Sequence, residues 1–146
     1  VETTAPRCVT VENPTTFHEL VRLGCGDLFV CTSYPNDATV RFLQSLPDGV
    51  ELHHFGDTDP WGFDVLLSLR VQTGLPIAPL HMRHRPQTDA DGLDLRDRRK
   101  LDDLRRNERL ADVREELDRL AASGTSGDFE QERLAINLPE FPYIQE

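Results

Sequence analysis

The sequence predicts an α/β fold built on a mainly parallel sheet, and three observations predict it. Short β-branched or apolar runs alternate with stretches of helical periodicity from residue 7 to residue 82. The length of chain between successive runs suits βαβ units, which place their strands parallel. Prolines and glycines fall at the starts and ends of the helical stretches, where each residue type belongs.

Arg7 to Glu12 is compact and β-branched and reads as the first strand. Asn13-Pro14 then supplies a cap and a first helical residue. The helix it opens runs to about Leu23, with Phe17, Leu20 and Val21 on one face and Gly24 closing it. Asp27 to Thr32 is nearly continuous in apolar residues, as expected of a strand covered on both faces. After the Tyr34-Pro35-Asn36 turn, a helix from Asp37 to Ser45 sets Val40, Phe42 and Leu43 toward the core, and Pro47-Asp48-Gly49 ends it.

The third strand ends at Phe55, followed by Gly56-Asp57-Thr58-Asp59, and Pro60 opens a helix that Gly74 terminates. Residues 77 to 82 read as a fourth strand, and Pro79 within it suggests a sheet edge. Residues 84 to 94 read as an exposed loop. Leu101 and Leu104 mark a short amphipathic helix, and Leu110, Val113, Leu117 and Leu120 form a further helical stripe on which Glu115 is spaced to pair with Arg119. Asp128 to Asn137 reads as a last helix before an irregular proline-containing tail. The expected organisation is one domain over residues 1–146, with an α/β core at about 7–85 and a C-terminal helical segment at about 93–137.

A chain of 146 residues with 38% apolar and 29% charged residues is sized to bury one core. A net charge of −10 argues against a grip on nucleic acid by this chain alone, because such binding rests on phosphate neutralisation. The cations are 15 arginines and the single Lys100. Cys8, Cys25 and Cys31 are odd in number and form no C-x-x-C pair, so neither a disulfide framework nor a zinc site is indicated. Cys8 and Cys31 fall in predicted strands, where a free thiol behaves as a small buried hydrophobe. No run approaches the length of a membrane span and no signal pattern opens the chain, so a cytoplasmic location without membrane attachment is expected. A first residue other than methionine suggests a fragment or a processed product.

The chemistry concentrates in three acids. Glu12 follows strand one, and Asp57 and Asp59 follow strand three. If they face one site, those strands are neighbours and the order is 2-1-3-4, with a topological switch where ligands bind. Two carboxylates so close repel unless a proton or cation lies between them, and Mg²⁺ is the natural neutraliser. The competing interpretation of Asp59-Pro60 is a plain N-cap followed by a proline. At least one of His53 and His54 must face the interior, and a hydrogen-bonded core histidine is favoured over a ligand. Arg41 suits a phosphate contact or a surface ion pair equally. His81, Arg83, His84 and Arg85 form a local basic cluster, for which a solvated loop is the favoured reading.

With these motifs in place (Val-Thr-Val-Glu-Asn, Tyr-Pro-Asn…Arg-Phe-Leu, Gly-Asp-Thr-Asp-Pro-Trp-Gly-Phe, and Glu130-Gln131-Glu132) the chain resembles the Toprim domains of topoisomerases, primases and nucleases. The resemblance is strongest to the branch holding the topoisomerase VI A subunit, the meiotic break protein and the carboxyl-terminal domain of JetD of the Wadjet plasmid-defence system. It implies a three-layer fold and Mg²⁺- or Mn²⁺-dependent phosphodiester cleavage with one or two ions. Asp57 and Asp59 would hold metal, and Glu12 would share it or act as general base. Glu130 and Glu132 are further candidate ligands, against a solvated helix face. The implied partners are plasmid DNA, SMC-like motor subunits and a second copy of the chain. No winged-helix domain with a nucleophilic tyrosine is present, so hydrolysis by water is the default. The competing functions are a topoisomerase- or meiotic-type domain that supports strand breakage, a catalytically silent assembly module docking through the helices at 94–122, and a receiver-like domain using Asp57.

Overall fold

In the computed structural model, residues 2–23, 26–85 and 92–125 are described. Four strands form one sheet: β1 (Arg7–Val11), β2 (Leu28–Cys31), β3 (Glu51–Phe55) and β4 (Ile77–Pro79). Their order is β2-β1-β3-β4 and every pairing is parallel, as expected from the sequence. Helices α1 (Pro14–Leu23), α2 (Asp37–Gln44) and α3 (Pro60–Thr73) connect them.

The alternation of side chains along β1 divides the core. Val9 and Val11 point to one face, where they meet Leu20 of α1, Phe55 and Leu80. Cys8 points to the other, into a larger cluster with Leu43 of α2 and Phe63, Leu66 and Leu69 of α3. Helices on both faces make three layers. The second cluster extends onto a C-terminal helical layer of α4 (Leu95–Arg105), a 3₁₀ turn (Glu108–Val113) and α5 (Arg114–Ser123), which contributes Leu101, Leu104, Leu110, Val113, Leu117 and Leu120.

The helix boundaries follow the capping residues. Asn36 caps α2 by accepting from the Thr39 amide, and Gly74 ends α3 at φ 69°, where a side chain would be strained. Glu115 meets Arg119 at 2.5 Å, as the spacing predicts.

Several expectations change. β2 is an edge strand and only half covered, so Cys31 is exposed while Cys8 is fully buried, its thiol pushed up to about 11 chiefly by desolvation. Val21, expected on the core face of α1, is exposed; Leu20 beside it fills that role. The fourth strand stops at Pro79, whose missing N–H ends its pairing, although the Leu80 amide still reaches the His54 carbonyl. The expected single stripe from Leu110 to Leu120 is broken at Leu110 (φ −111°, ψ 19°), yet all four apolar residues stay buried because the 3₁₀ turn re-aims the first two. Gly24, Cys25, the expected helix at 128–137 and the acids Glu130 and Glu132 lie outside the described residues.

Candidate functional site

The geometry of the site begins with sheet register. β1 and β3 are parallel neighbours and their last residues, Val11 and Phe55, are partners. The ladder runs one step further, with the Glu12 amide donating to the Phe55 carbonyl at 3.1 Å. Glu12 and Gly56 therefore stand level at the carboxyl edge, beside the switch in strand order. The chain then turns through Asp57, Thr58 and Asp59 into α3.

The turn is tied to Glu12 directly: the Asp57 amide donates to Glu12 Oε2 at 3.2 Å. Asp59 is an N-cap, accepting from the Gly62 amide at 2.7 Å, with Pro60 in the first turn of α3. The N-cap interpretation weighed from the sequence is thus correct, and it coexists with the site, because the cap is what aims this carboxylate at the edge. Glycines bracket the turn. A Cβ on Gly62 would lie 1.9 Å from the Asp57 carbonyl oxygen, and one on Gly56 would lie 2.6 Å from His54 Nε2 and 3.0 Å from Glu12 Oε2. The turn can close over the strand end only with neither side chain present.

The electrostatics set these acids apart. Burial holds the Glu12 carboxyl above its ordinary value, with the Asp57 amide acting against it and the Asp59 charge adding to it. Burial likewise raises Asp59, opposed by the Gly62 and Trp61 amides and reinforced by Asp97. The charges that act on both residues are other carboxylates, the environment that favours a proton or a cation.

Beneath the acids, His54 is completely buried. Its Nδ1 lies 2.7 Å from Thr10 Oγ1, and desolvation together with the Arg70 charge pushes its pKa down to about 3, so the ring is neutral. His54 is thus the hydrogen-bonded core histidine the sequence favoured. Its Nε2 and the hydroxyl of Thr58 are buried without a hydrogen-bond partner in the protein.

Tyr34, just past β2, donates to Asp64 Oδ2 at 2.6 Å. Burial and that hydrogen bond raise its pKa, and the charges of Asp64, Glu12 and Asp59 raise it further, which places the phenol beside the acidic edge. Lys100 of α4 lies 3.6 Å from the same Asp64 oxygen. Trp61 donates from Nε1 to Asp97 at 2.9 Å, and the Arg96 guanidinium sits over its ring at 4.7 Å. Sequence reasoning set Trp61 near the acids but missed Tyr34, Asp64, Asp97 and Lys100 as their neighbours. Tyr34 carried a usable signal, since it follows a parallel strand as Glu12 does. The α4 residues carried none, because only tertiary packing brings them here.

The basic cluster near residues 81–85 is a loop, as expected, but only partly solvated: Arg83 is exposed, and His84 and Arg85 are half-buried. His81 is buried at φ 57°, edge-on to Phe55. The His84 amide donates to Glu116 at 2.6 Å, and Arg85 reaches the carbonyl of His81 at 3.3 Å. The His84 amide ties the segment to α5, while Arg83 stays exposed. Arg41 is exposed on α2.

Among the described residues, no three histidine, cysteine, aspartate or glutamate side chains close into a ready-made metal cage. Mg²⁺ does not require one: it keeps several waters and binds through one or two carboxylates plus substrate oxygens. Desolvated, mutually repelling carboxylates with an orphaned hydroxyl and imidazole nitrogen nearby are an oxygen-rich donor set that fits such an ion. No helix among the described residues is long and apolar enough to cross a membrane.

A three-layer α/β domain with acids gathered at the switch point of a parallel sheet is the class that fold and site define. The chain belongs to the family of the C-terminal domain of the Wadjet protein JetD, whose family model matches residues 1–140. This membership links it to the Wadjet defence system and its complex. No curated protein matches the chain.

Proposed function

We propose that this chain is a Toprim-type nuclease domain that hydrolyses DNA phosphodiesters with Mg²⁺ or Mn²⁺, cutting plasmid DNA that the Wadjet complex presents. The observation that carries this reading is the convergence of Glu12 with the Asp57–Asp59 turn, tied by the 3.2 Å hydrogen bond across the β1–β3 register.

Asp57 and Asp59 hold the ion or ions in this reading, and Glu12 shares one or takes the proton of the attacking water. When bound, the ion polarises the scissile phosphate and offsets charge on the attacking and leaving oxygens. The raised pKa of Glu12 suits a base, because a carboxylate of ordinary acidity is a poor proton acceptor at neutral pH. Asp59, fixed by its N-cap hydrogen bond, presents its charge without reorganising. Water is the nucleophile. Tyr34, the tyrosine at this edge, has its hydroxyl bound to Asp64 and its pKa raised, the opposite of what an attacking phenolate requires. SMC-like motor subunits supply the grip on DNA that an acidic chain lacks.

The test is plasmid cleavage by the full-length protein with its Wadjet partners, comparing wild type with Glu12→Ala. Loss of cutting is expected, and unchanged cutting overturns the reading. Metal binding has its own readout. Trp61, the sole tryptophan of this chain, lies two residues from Asp59, so Mn²⁺ should quench its emission saturably, and Asp57→Ala with Asp59→Ala should abolish the quenching.

A further inference from the structure

A cluster of acids repels the polyanion it is meant to cut, and cations on the surface beside it offset that repulsion locally even where partners supply the main grip. Two basic clusters were available in the sequence. In the one at residues 81–85, His81 is buried, His84 and Arg85 are half-buried, and the His84 amide ties the segment to α5, leaving Arg83 exposed. The other is α4, which carries Arg96, Arg98, Arg99, Lys100 and Arg105 against Asp97, Asp102 and Asp103 in a chain of net charge −10.

The amino-terminal half of α4 lies along the acidic edge. Arg96 and Lys100 are one turn apart and share the indole of Trp61, at 4.7 Å and 5.3 Å from the ring centre. Trp61 follows Asp59 by two residues, and Asp97 between the two cations is near enough to raise the Asp59 pKa. Lys100 and Tyr34 meet on the same oxygen of Asp64. A cation stacked on an indole is held in place by its apolar stem and the ring face while its N–H donors remain available at the edge. The guanidinium fork and the ammonium are the two groups that suit phosphate oxygens.

From this arrangement we infer that the Arg96–Trp61–Lys100 rim is the surface on which the phosphate backbone of double-stranded DNA rests next to the scissile bond. The inference rests on the nuclease reading. Its occupant is duplex DNA, because the rim sets two cations, Arg96 and Lys100, beside the proposed phosphodiester-cleaving site.

The experiment uses the full-length protein, a fluorescein-labelled duplex, and Ca²⁺ in place of Mg²⁺, with anisotropy recorded across a salt series. Each lost phosphate contact reduces the slope of log K against log salt by about 1, so Arg96→Gln with Lys100→Gln should reduce it by about 2 and weaken binding severalfold at fixed salt. Trp61 emission should change as duplex is added to wild type. Arg22→Gln with Arg119→Gln removes the same charge from distant faces and should leave the slope unchanged. Arg96→Lys with Lys100→Arg should retain most of it, which keeps the test valid if the glutamine pair folds poorly.

An unchanged slope in the glutamine pair overturns the inference, and so does an equal drop in the distant control. A Trp61 response to a Wadjet protein subunit and none to duplex also overturns it, by giving the rim to a protein partner. Unchanged cutting by Glu12→Ala beside a reduced slope would instead sink the nuclease reading and leave the rim as a DNA surface.

Discussion

Asp112 and Glu12 are both carboxylates in one small domain, and their surroundings oppose each other. Asp112, near the far end of α3, receives both Arg70 guanidinium arms at 2.8 Å, and its pKa is lowered by that hydrogen bond and the arginine charge. Glu12 and Asp59, at the start of the same helix, are raised by burial and by further carboxylates. The first arrangement strengthens the fold. The second weakens it, and in the proposed nuclease a cation from outside the chain offsets the repulsion. The contrast separates the structural acid from the proposed functional ones by environment rather than by residue type.

The largest expected effect comes from removing a functional acid. If the nuclease proposal holds, Asp57→Ala should lower plasmid cleavage about 10³-fold, since losing a carboxylate proposed to hold the metal removes several kcal/mol of transition-state stabilisation and each ~1.4 kcal/mol is tenfold. Asp112→Ala should leave cleavage within about twofold of wild type, because that carboxylate acts only on folding. Equal losses in single-turnover cleavage would erase the distinction.

Next in size is the turn that gathers the acids. Gly62→Ala places a methyl 1.9 Å from the Asp57 carbonyl, and backbone on both sides must move, so the unfolding free energy should fall by about 3 kcal/mol. Gly49→Ala, where a Cβ meets nothing within 4 Å, should change it by less than about 0.5 kcal/mol. Urea denaturation of both variants checks this.

The opposite end of α3 supplies the third. Arg70 donates to the Ile77 carbonyl at 2.9 Å and the Arg109 carbonyl at 2.7 Å as well as to Asp112, fastening α3 to β4 and to the C-terminal helices. Arg70→Met should cost about 2 kcal/mol in the same measurement, most of it from the carbonyls left without a donor, because the Asp112 side chain is half exposed and its ion pair is screened. Metal-dependent quenching of Trp61 should persist in this variant, since the acidic edge is built from the other end of the helix.

How much of this was legible in the sequence depends on whether the cause was local. The strand order followed from the requirement that Glu12 and Asp57–Asp59 share an edge, and both the α3 cap at Asp59 and the αL stop at Gly74 follow from residue types alone. The cover on β2 was not legible: an apolar run reads alike in a central and an edge strand, and only the sheet order decides which it is. The partial burial of the basic segment at 81–85 was not legible for a related reason, since the His84 backbone amide donates to Glu116 on a helix 32 residues further along. The role of α4 at the site was invisible, because the stacking of Arg96 and Lys100 on Trp61 spans more than 30 residues and depends on how that helix packs against α3.

The smallest expected effect bears on the contrast most directly, because the two kinds of acid should answer pH with opposite signs. The folded-state pKa of Glu12 is raised, so its protonated form stabilises the fold fully below its unfolded value of about 4.3, and that contribution is lost as pH rises through the folded value. Glu12→Gln keeps an acceptor for the Asp57 amide without the charge. It should therefore stabilise the domain at pH 8 by about 1 kcal/mol, in line with replacements of strained functional groups, while removing cleavage. The gain should vanish below about pH 4, where wild type carries the proton itself. Asp112 has a lowered folded-state pKa, so its contribution is present above about 3.9 and is lost as pH falls through the folded value. Asp112→Asn should thus destabilise the domain at pH 8, with the deficit closing in acid. Added Mg²⁺ should raise the thermal midpoint of wild type and Asp112→Asn alike and act far less on Glu12→Gln, because the proposed cation would supply at Glu12 what Arg70 already supplies at Asp112. A loss of stability in Glu12→Gln at pH 8 would show that the acidic edge is held as a structural element and that its charge is not kept for a ligand.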